Sequence, residues 1–501
     1  MEELTNSTNA AKLVGLSNAA IGELAKEIEV PRYDRSALKP GIVHIGLGNF
    51  HRAHQSWYLH RLMQTGAALD WAIIGAGVRQ ADAHTREKLL SQDCLSTLIE
   101  LDPTGRSFEV TGSMIDFLPV EKDNASLIDK MSDPCIRIVS LTVTEGGYFI
   151  DPDTGGLDSG DAQIIYDAEH PSKPRTAFGA MVAALKIRRD NGHLPFTGQS
   201  CDNLQGNGEI LGRTVIGLAR MSDPDLALWI EANMTFPNSM VDCIVPATGL
   251  KEIALANSAG IDDEVPVTHE NFRQWVMEDN FCAGRPDWNV VGATFRDSIH
   301  DYETMKLRIL NAGHQVLANA GELLSVDSIS ACMAHPLISA LFHKVESEEI
   351  APQVSPVPEM TPEQYVELIA KRFSNPEIVD TTRRVAFDGS SRHGGFVLPI
   401  LRDALKAGAS VKGLALVEAL WARMCEGTRE DGSIIEPNDP HWDSLLQAAK
   451  RAKAEPRTWI EQRHIYADLD KESSFLEPFE HYLSIIYSEG TEAAIESYLK
   501  T

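Results

Sequence analysis

Three residues that could carry out acid–base chemistry lie close together in the second half of the chain: Lys306, Asn311 and His314. At about 100° per residue of an α-helix, Asn311 lies roughly 140° and His314 roughly 80° from Lys306. All three therefore share a half-cylinder with apolar residues such as Leu310. A lysine on a buried face is unusual, and desolvation favours its neutral amine, which can act as a base near neutral pH. The alternative is a lysine whose amine reaches solvent beside a core histidine.

A second pattern overlaps the first. Tyr302 and Lys306 match Tyr-x-x-x-Lys, the catalytic pair of short-chain dehydrogenases. Those enzymes are single domains of about half this length, and their pair lies on a helix within the cofactor-binding fold itself. Here the pair opens the helical half of the chain, so we attribute the spacing to chance.

A glycine-rich turn follows the first β-branched run, Ile42–Ile45. The turn is Gly46-Leu-Gly48-Asn49-Phe50-His51-Arg52-Ala53, and helical spacing of apolar residues follows it. The first glycine permits a tight turn, and the second lets the backbone approach a pyrophosphate at the N-terminus of the next helix. His51 stands where the usual fingerprint has its third glycine. The alternative is an ordinary strand-to-helix turn.

The acidic residue nearest the second predicted strand, 71–78, is Asp82. It could bond a ribose 2′-hydroxyl, although the usual gap from the glycine turn is about 20 residues and here it is longer. It could equally be an exposed acid at a helix start. Arg79 lies where an arginine could meet a 2′-phosphate instead, so these residues leave NAD and NADP open.

Further polar segments are scattered along the chain, and the first two of them lie where strands are predicted to end, the place where open α/β sheets bind ligands. They are Thr144-Glu145-Gly-Gly-Tyr148, Cys201-Asp202-Asn203, Val241-Asp242, and a later group from Arg384 to Arg392. Each could instead be a turn, a cap or a surface ion pair.

Strands alternate with helices in the first part of the chain, which favours a mostly parallel sheet. Strands are predicted at 42–45, 71–78 and 136–144, and an amphipathic helix at 174–192. From Asp301 onward there are almost no candidate strands. A series of helices is predicted instead, of which the first is 301–322 and the last is 475–499. The sequence therefore predicts an α/β domain with a mostly parallel sheet over 1–296 and an all-α domain over 297–501.

Charge and cysteine content restrict the function classes. The 45 Lys and Arg residues and 72 Asp and Glu residues give a net charge of −27, which argues against nucleic acids and anionic membranes as partners. The seven cysteines are scattered, with no Cys/His cluster of zinc-finger spacing. No secretory signal or membrane-length apolar run is visible. We expect a cytoplasmic protein without a metal site.

Together these motifs resemble one family, the polyol-specific long-chain dehydrogenases. The resemblance covers almost the whole chain. It is carried by Gly-x-Gly-x-Phe-x-Arg-Ala-His (Gly46 to His54) and by Lys-x₄-Asn-x₂-His (Lys306 to His314). Thr-Glu-Gly-Gly-Tyr and Cys-Asp-Asn-x-Gln-Gly-Asn-Gly also look like family segments. The resemblance implies a metal-independent NAD(P) enzyme with a Rossmann-type N-terminal domain, a helical C-terminal domain and an active site between them.

The resemblance also implies residue roles. Lys306 would be the general base, Asn311 and Asn203 the oxyanion hole, and His314 the residue that orients the reacting hydroxyl. Glu145 would gate proton exchange with solvent. Substrate contacts would come from Asp242, Arg384 and Arg392, the last standing where the family more often has lysine. The predicted cofactor-binding residues are Gly46, Gly48, Asn49, Phe50, Arg52 and Asp82.

The predicted reaction is reversible oxidation of D-mannitol to D-fructose, or of a close polyol, with NAD and without metal. NADP is not excluded, and the Arg392 position leaves the exact polyol open. Two alternatives remain. One is a fructuronate reductase of the same family, in which Arg384 or Arg392 pairs with the substrate carboxylate. The other is an NADH sensor without chemistry, which would have no need of a base. We expect a monomer.

Overall fold

The computed structural model describes residues 13–151 and 154–501. They divide into two units, Met1–His300 and Asp301–Thr501. The division falls a few residues after position 296, where the sequence analysis placed a domain boundary.

The described strands all belong to the first unit. They are β1 (Val14–Gly15), β2 (Pro40–Ile45), β3 (Ala72–Ala76), β4 (Ser96–Asp102), β5 (Gly105–Thr111), β6 (Met114–Phe117), β7 (Ile138–Leu141), β8 (Thr197–Ser200), β9 (Ser239–Asp242), β10 (Ile261–Asp262), β11 (Val267–Glu270), β12 (Gln274–Glu278) and β13 (Thr294–Arg296).

A five-stranded sheet with the order β6-β3-β2-β7-β8 lies at the centre of this unit. Every neighbouring pair in it is parallel, with Ile42 of β2 opposite Ile73 of β3 on one side and Ile138 of β7 on the other. The strand order reverses next to β2, because β3 lies on one side of it and β7 on the other. The predicted Rossmann-type α/β fold is confirmed for this unit.

Both faces of the central sheet are buried, which is why its strands are short continuous apolar runs rather than alternating ones. Successive residues point to opposite faces. Ile42, Ile73 and Ile138 belong to one core cluster, with Leu59 and Leu62 packed against them. Val43, Ile74 and Val139 belong to a second cluster, on the opposite face.

The first unit has nine described α-helices, several of which pack on these faces. They are α1 (Asn49–Ala53), α2 (Gln55–Met63), α3 (Asp82–Ser91), α4 (Ala125–Ser132), α5 (Ala162–Glu169), α6 (Ala177–Asp190), α7 (Asn207–Ser222), α8 (Pro224–Asn233) and α9 (Leu250–Ser258).

Besides the two-stranded parallel sheet of β1 and β10, two three-stranded sheets were not anticipated from the sequence. Their orders are β11-β4-β5 and β13-β12-β9, and each combines one parallel with one antiparallel pair. The pairs β4–β11 and β9–β12 join segments that are far apart along the chain, so local patterning could not pair them. Strand β9 of the second sheet ends at Asp242, one of the predicted substrate contacts.

The second unit is helical over its described residues, apart from isolated β-bridges such as Ser328–Thr381. Its helices are α10 (His300–Met305), α11 (Ala312–Leu323), α12 (Ile329–Ala334), α13 (Pro336–Val345), α14 (Pro362–Phe373), α15 (Thr382–Val385), α16 (Gly389–Arg392), α17 (Leu398–Lys406), α18 (Lys412–Met424), α19 (Trp442–Ala452), α20 (Arg463–Tyr466), α21 (Ser473–Glu489) and α22 (Thr491–Leu499).

The core of this unit forms around α11 and α18, which are buried along most of their lengths and pack against each other. Three π-helical segments interrupt the α-helices: Lys306–Asn311, Glu346–Ile350 and His393–Val397. Among the described residues, none of the helices combines the length and the apolarity needed to cross a membrane.

Candidate active site

The glycine turn after β2 is shaped by a close backbone approach. Gly46 has a φ of +91°, and a Cβ placed on it would lie 2.2 Å from the carbonyl oxygen of Thr142, just beyond β7. Only glycine fits this position. Gly48 differs, because a Cβ placed there would meet nothing within 4 Å. The second glycine therefore leaves open space beside the start of α1, as a cradle for a bulky ligand requires.

Polar side chains behind the turn hold it to a distant segment. The Asn49 Nδ2 donates to the carbonyl oxygen of Pro246 (3.1 Å) and to the Thr248 Oγ1 (2.9 Å). The Asn49 Oδ1 accepts from the Arg52 Nη2 at 2.7 Å, and the same guanidinium also donates to the carbonyl oxygen of Val265. Arg52 is buried, and desolvation lowers its pKa to about 10. Both side chains are thus used within the protein to fix the turn.

His51, which replaces the third glycine of the fingerprint, is a core residue. Its ring stacks on His44 with 3.4 Å between centroids. The two ring nitrogens of His44 lie 2.8 Å from the Ser140 Oγ and 2.9 Å from the Thr142 Oγ1. Burial lowers the pKa of both histidines, so the stacked pair is neutral. Phe50, the predicted neighbour of the cofactor, stacks on His54 at 5.0 Å.

Four predicted segments meet at one edge of the sheet, because parallel strands end on the same side. Gly46 follows β2, Asp82 follows β3, Glu145 follows β7 and Asn203 follows β8. The Asp82 Oδ2 accepts from the backbone N–H of Arg79 at 2.9 Å, so its carboxylate closes the turn that leads into α3. Asn203 is exposed.

A buried carboxylate that sequence reasoning left without a role, Asp202, organises this edge. It accepts hydrogen bonds from the backbone N–H groups of Val143 and Thr144, both at 3.0 Å, and from the Tyr148 hydroxyl at 2.7 Å. Thr144 has a φ of +73°, a strained value for a β-branched residue. Asp202 thereby fixes the 3₁₀-turn Glu145–Tyr148. The side chain of Glu145 itself lies outside the described residues.

The buried side chain of Asn207 connects strand β9, which ends at Asp242, to the segment around Asp202. The Asn207 Nδ2 donates to the carbonyl oxygens of Asp202 (3.0 Å) and Ser239 (2.7 Å), which links the end of β8 to β9. Asp242 is the last residue of β9 and is only 3% exposed.

In the second unit, Lys306 and Asn311 are the first and last residues of a π-helical segment. The regular α-helix expected over 301–322 is therefore wrong at this point, and the turn is wider. Lys306 is 6% exposed. The Asn311 Oδ1 and the His314 Nε2 are buried without a hydrogen-bond partner. Buried polar atoms nearly always have partners, so these two are available for a ligand.

His314 is held neutral. Burial is the main reason that its pKa is lowered to about 3. The negative charge of Asp380 raises this pKa, and the positive charges of Arg384, Arg392 and Arg372 lower it. Its ring stacks on Phe373 with 4.2 Å between centroids, which fixes the orientation of the imidazole. A neutral, oriented imidazole can hydrogen-bond a substrate hydroxyl without adding charge.

The two predicted substrate arginines have partners within their own unit. Arg384 donates from Nε and Nη2 to the two oxygens of Asp380, at 2.7 and 2.6 Å. Arg392 donates from Nη1 to the carbonyl oxygen of Val385 at 2.6 Å. Asp380 was missed from the sequence, where the only signal was its spacing of four residues before Arg384.

The comparison with known proteins covers both units. Residues 40–290 match the family model of the mannitol dehydrogenase Rossmann domain, and residues 298–487 match that of the mannitol dehydrogenase C-terminal domain. The chain belongs to the mannitol dehydrogenase family. The resemblance drawn from the sequence motifs is confirmed.

Individual relatives within the mannitol dehydrogenase family are similar over nearly their full lengths. A mannitol 2-dehydrogenase of Cereibacter sphaeroides is 53% identical over 476 residues, covering 95% of this chain and 100% of that protein. The solved Pseudomonas fluorescens mannitol 2-dehydrogenase, a ternary complex with NAD and D-mannitol, superimposes with a TM-score of 0.91 at 37% identity, covering 97% and 100% of the two chains. A substrate-free D-sorbitol dehydrogenase has a TM-score of 0.86 at 34% identity, covering 96% and 99%.

One acidic residue behind the candidate site of this family member is unusual. Glu346 is fully buried on the second π-helical segment, and neither of its carboxyl oxygens has a hydrogen-bond partner. A Cβ on Gly313 would lie 2.5 Å from the Glu346 Oε1, so the carboxyl group packs directly against the helix that carries His314. Burial raises the pKa of Glu346 well above its ordinary value, because desolvation favours the protonated form.

We expect the Glu346→Gln variant to gain stability relative to the wild type as the pH rises above the ordinary glutamate pKa of 4.5. The folded wild type retains a proton that the unfolded chain releases above the ordinary pKa of 4.5. Its free energy of unfolding therefore falls as the pH rises from that value toward the raised pKa, and glutamine removes this titration. Urea unfolding at several pH values measures the difference, with the exposed Glu367→Gln as control. A stability difference that is the same at every pH would contradict the prediction.

Proposed function

We propose that this protein is an NAD-dependent mannitol 2-dehydrogenase, which oxidises D-mannitol to D-fructose reversibly. The observation that carries the proposal is the helical segment 306–314 of the second unit. Lys306 is buried on it, and the Asn311 Oδ1 and the His314 Nε2 are buried and unpartnered. The 53% identical relative of the same name and the NAD and D-mannitol complex of the structural neighbour support the choice of substrate and cofactor.

The glycine turn fits a dinucleotide. The open space beside Gly48 is the room that a pyrophosphate needs, and Gly46 allows the backbone to turn toward it. We propose that the backbone from Gly46 to Phe50 holds the pyrophosphate and that Asp82 contacts the ribose. Asn49 and Arg52 would support the turn from behind. When bound, NAD supplies the acceptor for the hydride that leaves the substrate carbon.

The protein's own residues would handle the proton. Oxidation of a secondary alcohol removes a proton from oxygen, and the neutral amine of Lys306 would accept it, since burial disfavours the ammonium form. The side-chain Nδ2 groups of Asn311 and Asn203 would donate to the oxygen as negative charge develops on it, while the unpartnered Asn311 Oδ1 would accept from a donor group of the ligand. His314 would orient the hydroxyl, and Glu145 would gate the passage of the proton to solvent.

Asp242, Arg384 and Arg392 would contact the remaining hydroxyls of the polyol. Arg392 is longer and more rigid in its donor geometry than the lysine more common in the family. We therefore expect discrimination among polyols to depend on this position. All seven cysteines are free thiols, which supports a reducing compartment such as the cytoplasm, and we propose a monomer there.

A substrate panel tests the proposal. We expect kcat/KM with NAD to be at least about tenfold higher for mannitol than for sorbitol, arabinitol or xylitol, because a mismatched hydroxyl leaves buried polar groups unpaired. Each polyol is measured with NAD and with NADP, and with and without EDTA. Activity that is lost in EDTA and restored by zinc would place the chemistry in another class. NADH binding without turnover of any polyol or ketose would favour a sensor.

A further inference from the structure

Asp380 and Arg384 form an ion pair four residues apart in the chain. Both carboxylate oxygens of Asp380 accept from the guanidinium, at 2.7 and 2.6 Å, in a bidentate arrangement. The Asp380 side chain is 5% exposed, whereas that of Arg384 is 52% exposed. The carboxylate is thus buried beneath the arginine and occupies the Nε/Nη2 edge, one of the two edges through which a guanidinium can bind a carboxylate with two hydrogen bonds.

Asp380 is also next to the proposed substrate-orienting histidine. Its Oδ2 lies 4.0 Å from the His314 Nε2, the nitrogen that has no hydrogen-bond partner. Its backbone is fixed on both sides, because its carbonyl oxygen accepts from the N–H of Ile329 at 2.9 Å and its own N–H donates to Ile378 at 3.1 Å. The Asp380 carboxylate is therefore held in a fixed position beside His314.

The charged groups around His314 show that the Asp380 carboxylate offsets the positive charge of nearby arginines. Arg372, Arg384 and Arg392 all act on this imidazole, and Asp380 is the opposing acid. With Asp380 ionised, Arg384 is neutralised at contact distance. Without it, a strongly positive group would face the ligand, and a sugar acid would be attracted there.

We propose that Asp380 is the residue that selects neutral polyols and ketoses over sugar acids of the same length. The inference rests on the proposed function, since it assumes that Arg384 contacts the substrate. The carboxylate of a hexuronate would have to displace Asp380 from Arg384 or lie beside it, where like charges repel. A hydroxyl needs only one free donor, and the exposed side of Arg384 can supply it.

The Asp380→Asn variant tests the proposal. The substitution keeps the shape of the side chain and removes its charge. We expect the ratio of kcat/KM for fructuronate to kcat/KM for fructose, measured as NADH oxidation, to rise at least about tenfold over the wild type. The matched control is Asp468→Asn, which removes the partner of Arg402 in an exposed Asp–Arg pair of the same unit. It should leave the ratio unchanged.

A double variant separates the specificity effect from general damage. Adding Arg384→Leu to Asp380→Asn should abolish the gain with fructuronate, because the gain requires the released guanidinium. If the Asp380→Asn variant reduces fructose and its ratio of kcat/KM for fructuronate to kcat/KM for fructose equals that of the wild type, the proposal is overturned. The proposed function would then remain intact. A wild type with no activity on mannitol or fructose refutes the proposed function instead.

A wild-type measurement covers the case in which Asp380→Asn fails to fold. We expect gluconate to inhibit fructose reduction at least about tenfold more weakly than sorbitol, a neutral polyol of equal length. Equal inhibition by the two compounds would overturn the proposal without any substitution.

Discussion

Replacing Lys306 by alanine should lower kcat for mannitol oxidation by about 10²–10⁴-fold, the usual contribution of a positioned base. Lys306 is buried at the start of the π-helical turn that also carries Asn311. Alanine keeps the helix but removes the amine, so the alcohol would have to lose its proton without a base. Steady-state kinetics at neutral pH measure the loss.

Two readouts distinguish loss of the base from damage to the fold. The affinity for NADH, measured by fluorescence, should change little in Lys306→Ala, since the glycine turn belongs to the other unit. Lys406→Ala, which removes an exposed lysine paired with Asp403, should retain wild-type kcat. A kcat for Lys306→Ala within a few-fold of the wild type would show that another group is the base.

The second large effect is expected at Gly46. Alanine there would place a methyl group 2.2 Å from the carbonyl oxygen of Thr142, and the residue would keep a φ of +91°. Main chain at the end of a central strand cannot move aside easily. We expect the free energy of unfolding to fall by about 2–4 kcal/mol, combining backbone strain with the steric clash. Urea unfolding measures it.

Gly48→Ala is the matched comparison, two residues away in the same turn. Its methyl group meets nothing within 4 Å, and its φ of −103° suits any residue. We expect nearly wild-type stability but weaker NADH binding, because the methyl group would occupy the space proposed for the pyrophosphate. Equal losses of stability at the two positions would contradict the distinct roles assigned to them.

Much of the fold follows from local sequence. Short apolar runs bounded by turn residues predicted β2, β3 and β7, because a strand buried on both faces needs an unbroken apolar run. The loss of such runs after Asp301 predicted the helical second unit. The small sheets that contain β4 and β9 were missed, since their pairing depends on segments far away in sequence, such as β11 and β12.

The candidate site divides in the same way. Spacing along the chain was enough to group Lys306, Asn311 and His314 and to find the two glycines. It could not show that the first turn of that group is π-helical, because the extra residue in the turn is stabilised by packing within the second unit rather than by its own sequence.

The sequence by itself determined which residue types follow each strand and which share a helical turn, because both depend on periods of two to five residues. Only the tertiary structure decided what those residues do. In the folded protein Arg52 donates to the carbonyl oxygen of Val265, and Asp202 accepts from the backbone of the strained Thr144. Asp380 pairs with Arg384 beside His314. Most of these contacts join residues more than fifty positions apart, and burial decides them, since a polar group removed from water must take whichever partner the packed core brings within reach.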